Sequence, residues 1–75
     1  MNEILEILEE IKSGVDFEHE DQIVTGKVLD SIDITNLIAK LEDRYDIEIG
    51  MEYLDNEYFD SAEAIWNMVQ ELRDL

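Results

Sequence analysis

A chain of 75 residues with neither cysteine nor proline makes one small domain, excludes disulfides and thiolate metal sites, and leaves a thin stability margin. Hydrophobic residues form 45% of it, enough for one core and too many for a disordered segment. Twenty-one acids against five Lys and Arg give a formal charge of −16. That charge repels nucleic-acid phosphates and anionic membranes and attracts basic protein surfaces.

No apolar run approaches the roughly 20 residues of a membrane span. The acidic start, with Glu3, Glu6, Glu9 and Glu10, is the opposite of a secretory leader's basic one, so the expected setting is cytoplasmic. A first helix is expected after Asn2 as its cap, with Glu3 suiting the positive end of the dipole. Ile4, Leu8, Ile11 and Val15, with Leu5 beside them, recur at helical spacing against an outer face of acids, and Gly14 suits a terminator. Asp16 to Gly26 reads as a long loop pinned to the core by Phe17 and Ile23.

The second helix is expected from Ser31 to Tyr45, since Ile34, Leu37, Ile38, Leu41 and Tyr45 keep its period. Asp46-Ile47-Glu48-Ile49-Gly50 alternates strictly but has no second strand to pair with. It reads as an extended connector that buries Ile47 and Ile49. Met51 to Phe59 has room for one short helix using Tyr53, Leu54 and Tyr58. A last helix is expected near Asp60, with Asp60 and Glu63 as a capping box. Its inner face is Ala62, Ile65, Val69 and Leu72, with Trp66 and Met68 on the flanks. The sum is an all-α, single-domain, small four-helix bundle with three main helices and one short one.

Leu29-Asp30-Ser31-Ile32-Asp33 is the segment most open to a functional reading. With Asp30 as cap, Ser31 is the first residue of the second helix and falls on the border between its apolar stripe and solvent. Free N–H groups there favour a phosphodiester on the serine oxygen. Asp30 and Asp33 repel such a group, so stability alone does not account for them, and contact with a basic enzyme surface does. Ile32, Asn36, Ala39 and Asp43 share a stripe turned away from the core. An apolar residue among them suits a partner's contact patch, although one exposed isoleucine needs no explanation by itself.

Across these positions the chain resembles an acyl or peptidyl carrier protein. The resemblance is carried by Gly26-Lys27-Val28-Leu29-Asp30-Ser31-Ile32-Asp33-Ile34, Leu37, Leu41-Glu42 and Tyr45-Asp46-Ile47-Glu48-Ile49. Tyr58-Phe59-Asp60-Ser61-Ala62-Glu63-Ala64-Ile65 is similar to the family's usual entry into its final helix. The resemblance implies a four-helix fold and a covalent 4′-phosphopantetheine on Ser31, taken from coenzyme A through a phosphopantetheinyl transferase. The arm's thiol carries acyl, aminoacyl or polyketide groups as thioesters. It also implies that Asp30, Asp33, Glu42 and Asp43 meet basic patches on partners, with Ile32 and Ala39 as apolar contacts. Those partners are a loading ligase and downstream acyl-transfer enzymes of fatty-acid, lipid or polyketide-type biosynthesis. The carrier itself is a monomer and not an enzyme.

The chain departs from the family's usual pattern in four respects. Ile32 stands where leucine or methionine is usual, and Asn36 where many fatty-acid carriers have glutamate. Lys40 and Arg44 break up the acidic face, and the segment before Ser31 is short. These differences favour a specialised stand-alone carrier.

Other candidates are weaker. Asp60-Ser61 repeats the Asp-Ser pair without its lead-in, and an acidic cap accounts for it. His19 has only Glu18, Glu20 and Asp21 around it and reads as a surface residue. No calcium-loop pattern and no Gly-x-Ser-x-Gly turn is present, so no metal ligand or hydrolase triad is assigned. Tyr45, Tyr53, Tyr58, Phe59 and Trp66 are expected in the core or its rim, where they could narrow a cavity toward short or polar cargo. The readings that remain beside a carrier are an acidic helical interaction module without a covalent group, and a binder of divalent cations.

Overall fold

The computed structural model describes residues 2–74. Four α-helices follow in order, α1 (Asn2–Ile11), α2 (Ser31–Tyr45), α3 (Asn56–Phe59) and α4 (Ala62–Arg73), with a 3-10 turn at Met51–Tyr53. Among the described residues there is no strand, and no helix is long and apolar enough to cross a membrane. Helix α1 packs on α2 and α4, α2 also meets α4, and α3 leans on α4.

Each element gives the core the residues its spacing puts on one face. Ile4, Ile7 and Leu8 come from α1, Leu37 and Leu41 from α2, Phe59 from α3, and Ala62, Ile65, Met68 and Val69 from α4. Several details differ from the sequence reading. Asn2 is the first helical residue of α1 and not the cap that precedes it. Ile7 joins Ile4 and Leu8 in the core while Ile11 and Val15 only border it. The α2 stripe, expected to centre on Ile34, Leu41 and Tyr45, centres on Leu37 and Leu41, with Ile34, Ile38 and Tyr45 half-buried beside them. Met68 is a core residue and not a flank.

The long segment between α1 and α2 is ordered because both its side chains and its backbone are used. Phe17, Ile23 and Leu29 plug into the core. The Ile23 carbonyl accepts the N–H groups of Val28 and Leu29 at 2.9 and 3.1 Å. Gly26 donates to the Gln22 carbonyl at 2.7 Å, and a Cβ at Gly26 would sit 2.7 Å from that same oxygen. Glycine is required there for close approach. The left-handed turn then falls one residue later, on Lys27 at φ 59°. That conformation costs a side-chain-bearing residue roughly 1 kcal/mol.

Asp60 fixes this segment from the far side of the sequence. Its carbonyl accepts the Ile23 N–H at 2.9 Å. Its carboxylate accepts the N–H groups of Val24 and Thr25 at 2.9 and 2.8 Å and the Thr25 hydroxyl at 2.6 Å. The expectation that Asp60 caps the last helix is therefore corrected. Ser61 is the N-cap of α4, accepting the Ala64 N–H on its hydroxyl at 3.0 Å, because the Asp60 carboxylate is already engaged elsewhere. At the far end of α2, Asp46 closes the helix in the left-handed region at φ 54°. The Tyr45 ring packs there against Trp66 at 6.1 Å between centroids, with the Arg73 guanidinium 5.6 Å from its centre.

Candidate functional site

The head of α2 is built by reciprocal hydrogen bonds between two acids. The Asp30 carboxylate accepts the Asp33 N–H at 2.9 Å, and the Asp33 carboxylate reaches back to the Asp30 N–H at 3.4 Å. This capping box gives both residues a structural reason to be acidic, contrary to the expectation that stability would not select them. It also fixes Ser31 as the first residue of the helix, with its side chain exposed.

From Ser31 the helical repeat runs through Ile34, Thr35 and Ile38, at three-, four- and seven-residue spacing, so the four share a face. That face forms one wall of a groove of about 520 Å³. Val24, Lys27 and Leu29 from the connecting segment form a second wall, and Leu54, Asp55, Asn56 and Phe59 a third. The interior is largely aliphatic and aromatic, and polar groups including Thr35 and Asn56 also line it. The Asn56 amide donates to the Thr25 hydroxyl at 3.4 Å, and that hydroxyl binds Asp60. One hydrogen-bonded chain thereby ties two of the three walls together.

Among the aromatic residues expected to narrow a cavity, Phe59 alone lines this groove. Tyr53 and Tyr58 pair edge to face at 5.1 Å between centroids. Tyr45 lies at the opposite end of α2, about 21 Å from Ser31 along the helix axis.

The outward stripe of α2 is exposed over its whole length at Ile32, Asn36, Ala39 and Asp43. Ile32 shows 72% of its surface, and among the described residues the other large apolar side chains in the open are Met51 and Leu54. Glu42 is half-buried, and one of its carboxylate oxygens accepts the Ile49 N–H at 2.9 Å, bracing the connector after α2. Lys40 and Arg44, which interrupt the acidic pattern in sequence, lean toward α1. Lys40 lies 3.3 Å from Glu10, and Arg44 4.0 Å from Glu3.

Burial pushes the Asp60 carboxyl up, but the hydrogen bonds from the Thr25 hydroxyl and the Thr25 and Val24 amides outweigh it and hold the group below its ordinary value. His19 is exposed as expected, and its hydrogen bond to Asp16 at 2.8 Å raises its pKa. Among the described residues no group of three or more His, Asp or Glu side chains is gathered to hold a metal ion.

Sequence reasoning placed Ser31 at the start of α2, Asp30 as its cap and the outward stripe in the open. It missed the Asp60 clamp and, Phe59 apart, the groove's other two walls. Asp60 meets Val24 and Thr25 across 36 and 35 residues, a pairing no local pattern announces. Leu54 was expected in a short helix with Tyr53 and Tyr58, and it stands exposed outside α3, on the groove. Comparisons of the chain with protein-family models, with curated proteins and with solved structures find no match.

Proposed function

We propose that this protein is an acyl carrier whose Ser31 holds a 4′-phosphopantetheine arm and presents thioester-linked acyl or aminoacyl groups to partner enzymes. The observation that carries the reading is the coincidence of two features at the head of α2. An exposed serine hydroxyl stands at a capped helix start, and a largely apolar groove opens along the same helix face. A transferase can reach the hydroxyl from solvent, and the helix start favours the phosphodiester it would leave there. Ser31 fits the group as its covalent anchor. When bound, the arm supplies a terminal thiol, the acyl-bearing group that this cysteine-free chain lacks.

The chain's own part is to bind, orient and be recognised. Val24, Leu29, Ile34, Ile38, Leu54 and Phe59 offer an apolar surface on which a carried chain can rest away from water. Exposed Ile32, Ala39 and Asp43, with Asp30 and Asp33 beside them, make a mixed apolar and acidic face for partners that carry basic docking surfaces. A carrier must be released by each partner in turn, so fast, weak, electrostatically steered docking suits it better than tight binding. The rival reading, an acidic interaction module without a covalent group, is favoured by the exposed Ile32, Met51 and Leu54 but leaves the groove beside Ser31 without a purpose.

Incubation with coenzyme A and a broad-specificity phosphopantetheinyl transferase decides between them. The carrier gains the mass of one phosphopantetheine, and Ser31→Ala gains none. An unchanged mass for the wild-type protein rules the carrier out.

A further inference from the structure

Phosphopantetheine on Ser31 would add negative charge to a chain that already carries −16, beside Asp30 and Asp33. The chain sets only five Lys and Arg against that charge. Lys12 donates to the Val28 carbonyl at 2.9 Å, and Lys40 lies 3.3 Å from Glu10. Arg44 lies 4.0 Å from Glu3, and Arg73 rests over the Tyr45 ring. Lys27 alone has no such partner among the described residues, and it lines the same groove as Ser31.

Its neighbours make that isolation informative. Asp30 and Asp55 also line the groove, yet their carboxylates accept backbone N–H groups, from Asp33 at 2.9 Å and Asn56 at 3.0 Å, and neither pairs with Lys27. The backbone at position 27 is left-handed, where glycine is the unstrained choice. A lysine there bears a local cost, and among the described residues its ammonium makes no hydrogen bond or ion pair that offsets it.

Resting on the carrier reading, we infer that Lys27 is a positioning residue for the group on Ser31, its ammonium binding the phosphodiester and holding the root of the arm at the groove mouth. The ligand class is a singly charged phosphate ester tethered to this chain. The interaction is a charge-assisted hydrogen bond from an ammonium with donors to spare. A carboxylate at the free end of a cargo is the competing anion, and the experiment separates the two.

Protein labelled with ¹³C in its lysine side chains gives one ε-methylene signal each for Lys12, Lys27 and Lys40. These signals are compared before and after modification by coenzyme A and transferase, with the ³¹P resonance of the arm followed in parallel. On modification, the Lys27 signal shifts further than those of Lys12 and Lys40. The ³¹P resonance moves in Lys27→Gly and Lys27→Gln and returns toward its wild-type position in Lys27→Arg. Lys27→Gly suits the left-handed backbone, so a misfolded variant does not confuse the result. If the protein gains the arm but the Lys27 signal moves no further than the other two, the inference is wrong. It is equally wrong if the signal responds only after a carboxylate-ended cargo is loaded. A protein that gains no arm removes the carrier reading, and this inference with it.

Discussion

Asp60 shows how much one carboxylate can organise. It accepts two amides and a hydroxyl from the segment that forms a wall of the groove, at 2.6 to 2.9 Å. Hydrogen bonds to a charged acceptor contribute more than neutral ones, but this site is only partly buried, so Asp60→Asn should cost about 2 kcal/mol. The pH dependence follows from the direction of the Asp60 shift. A folded-state pKa below the ordinary 3.8 gives stability that is fully present above that value and lost as pH falls through the depressed one. Thermal melts of wild type and Asp60→Asn should therefore differ fully above pH about 4 and converge at lower pH. A difference that stays constant into strong acid would show that the carboxylate charge is irrelevant. Ser31 and Ser61 form a second contrast at this scale. The Ser61 hydroxyl caps α4, so Ser61→Ala should lose about 1 kcal/mol. Ser31 is exposed and its side chain makes no hydrogen bond among the described residues, so Ser31→Ala should leave the melting temperature close to wild type. Equal losses in chemical denaturation would contradict that division of labour.

Helix α2 was the most legible element, and the reason is physical. Its core residues recur at helical spacing, its cap is a local Asp-x-x-Asp contact, and both signals lie within the segment they describe. Helix α4 was legible in its apolar face and not in its start. Asp60 and Ser61 are both good caps in isolation, and the choice between them is made by amides from another part of the chain. The same reasoning explains the site. Ser31 could be placed from α2 alone, but the groove beside it needs α2, the connecting segment and the α3 region brought together. Ile7 is a different kind of omission, because its spacing from Ile4 already put it on the buried face. Truncating the centre of α2 with Leu37→Ala should cost between about 2 and 5 kcal/mol, enough to leave so small a domain largely unfolded in a urea titration. A loss below 1 kcal/mol would mean that the bundle is not organised around this residue.

For the whole molecule, charge opposes compaction. The net −16 is held within a radius of gyration of 11.1 Å, and the ion pairs that offset it involve solvent-exposed side chains. Surface pairs of this kind contribute little, so self-repulsion dominates the electrostatics. Raising ionic strength from about 0.01 to 0.15 M shortens the screening length from about 30 to 8 Å and should raise the melting temperature. A melting curve unmoved by salt would show that the acids are spread too widely to repel.

On the proposed carrier reading, the same charge suits a molecule that basic partners must find and leave, and that traffic would converge on the Ser31 hydroxyl. Site mapping by tandem mass spectrometry, after treatment with coenzyme A and transferase, tests this most directly, because the chain offers Ser13, Ser31 and Ser61 as alternatives. The account predicts a single phosphopantetheine, found only on the peptide that contains Ser31. The same group on Ser13 or Ser61, or on no serine at all, would contradict it.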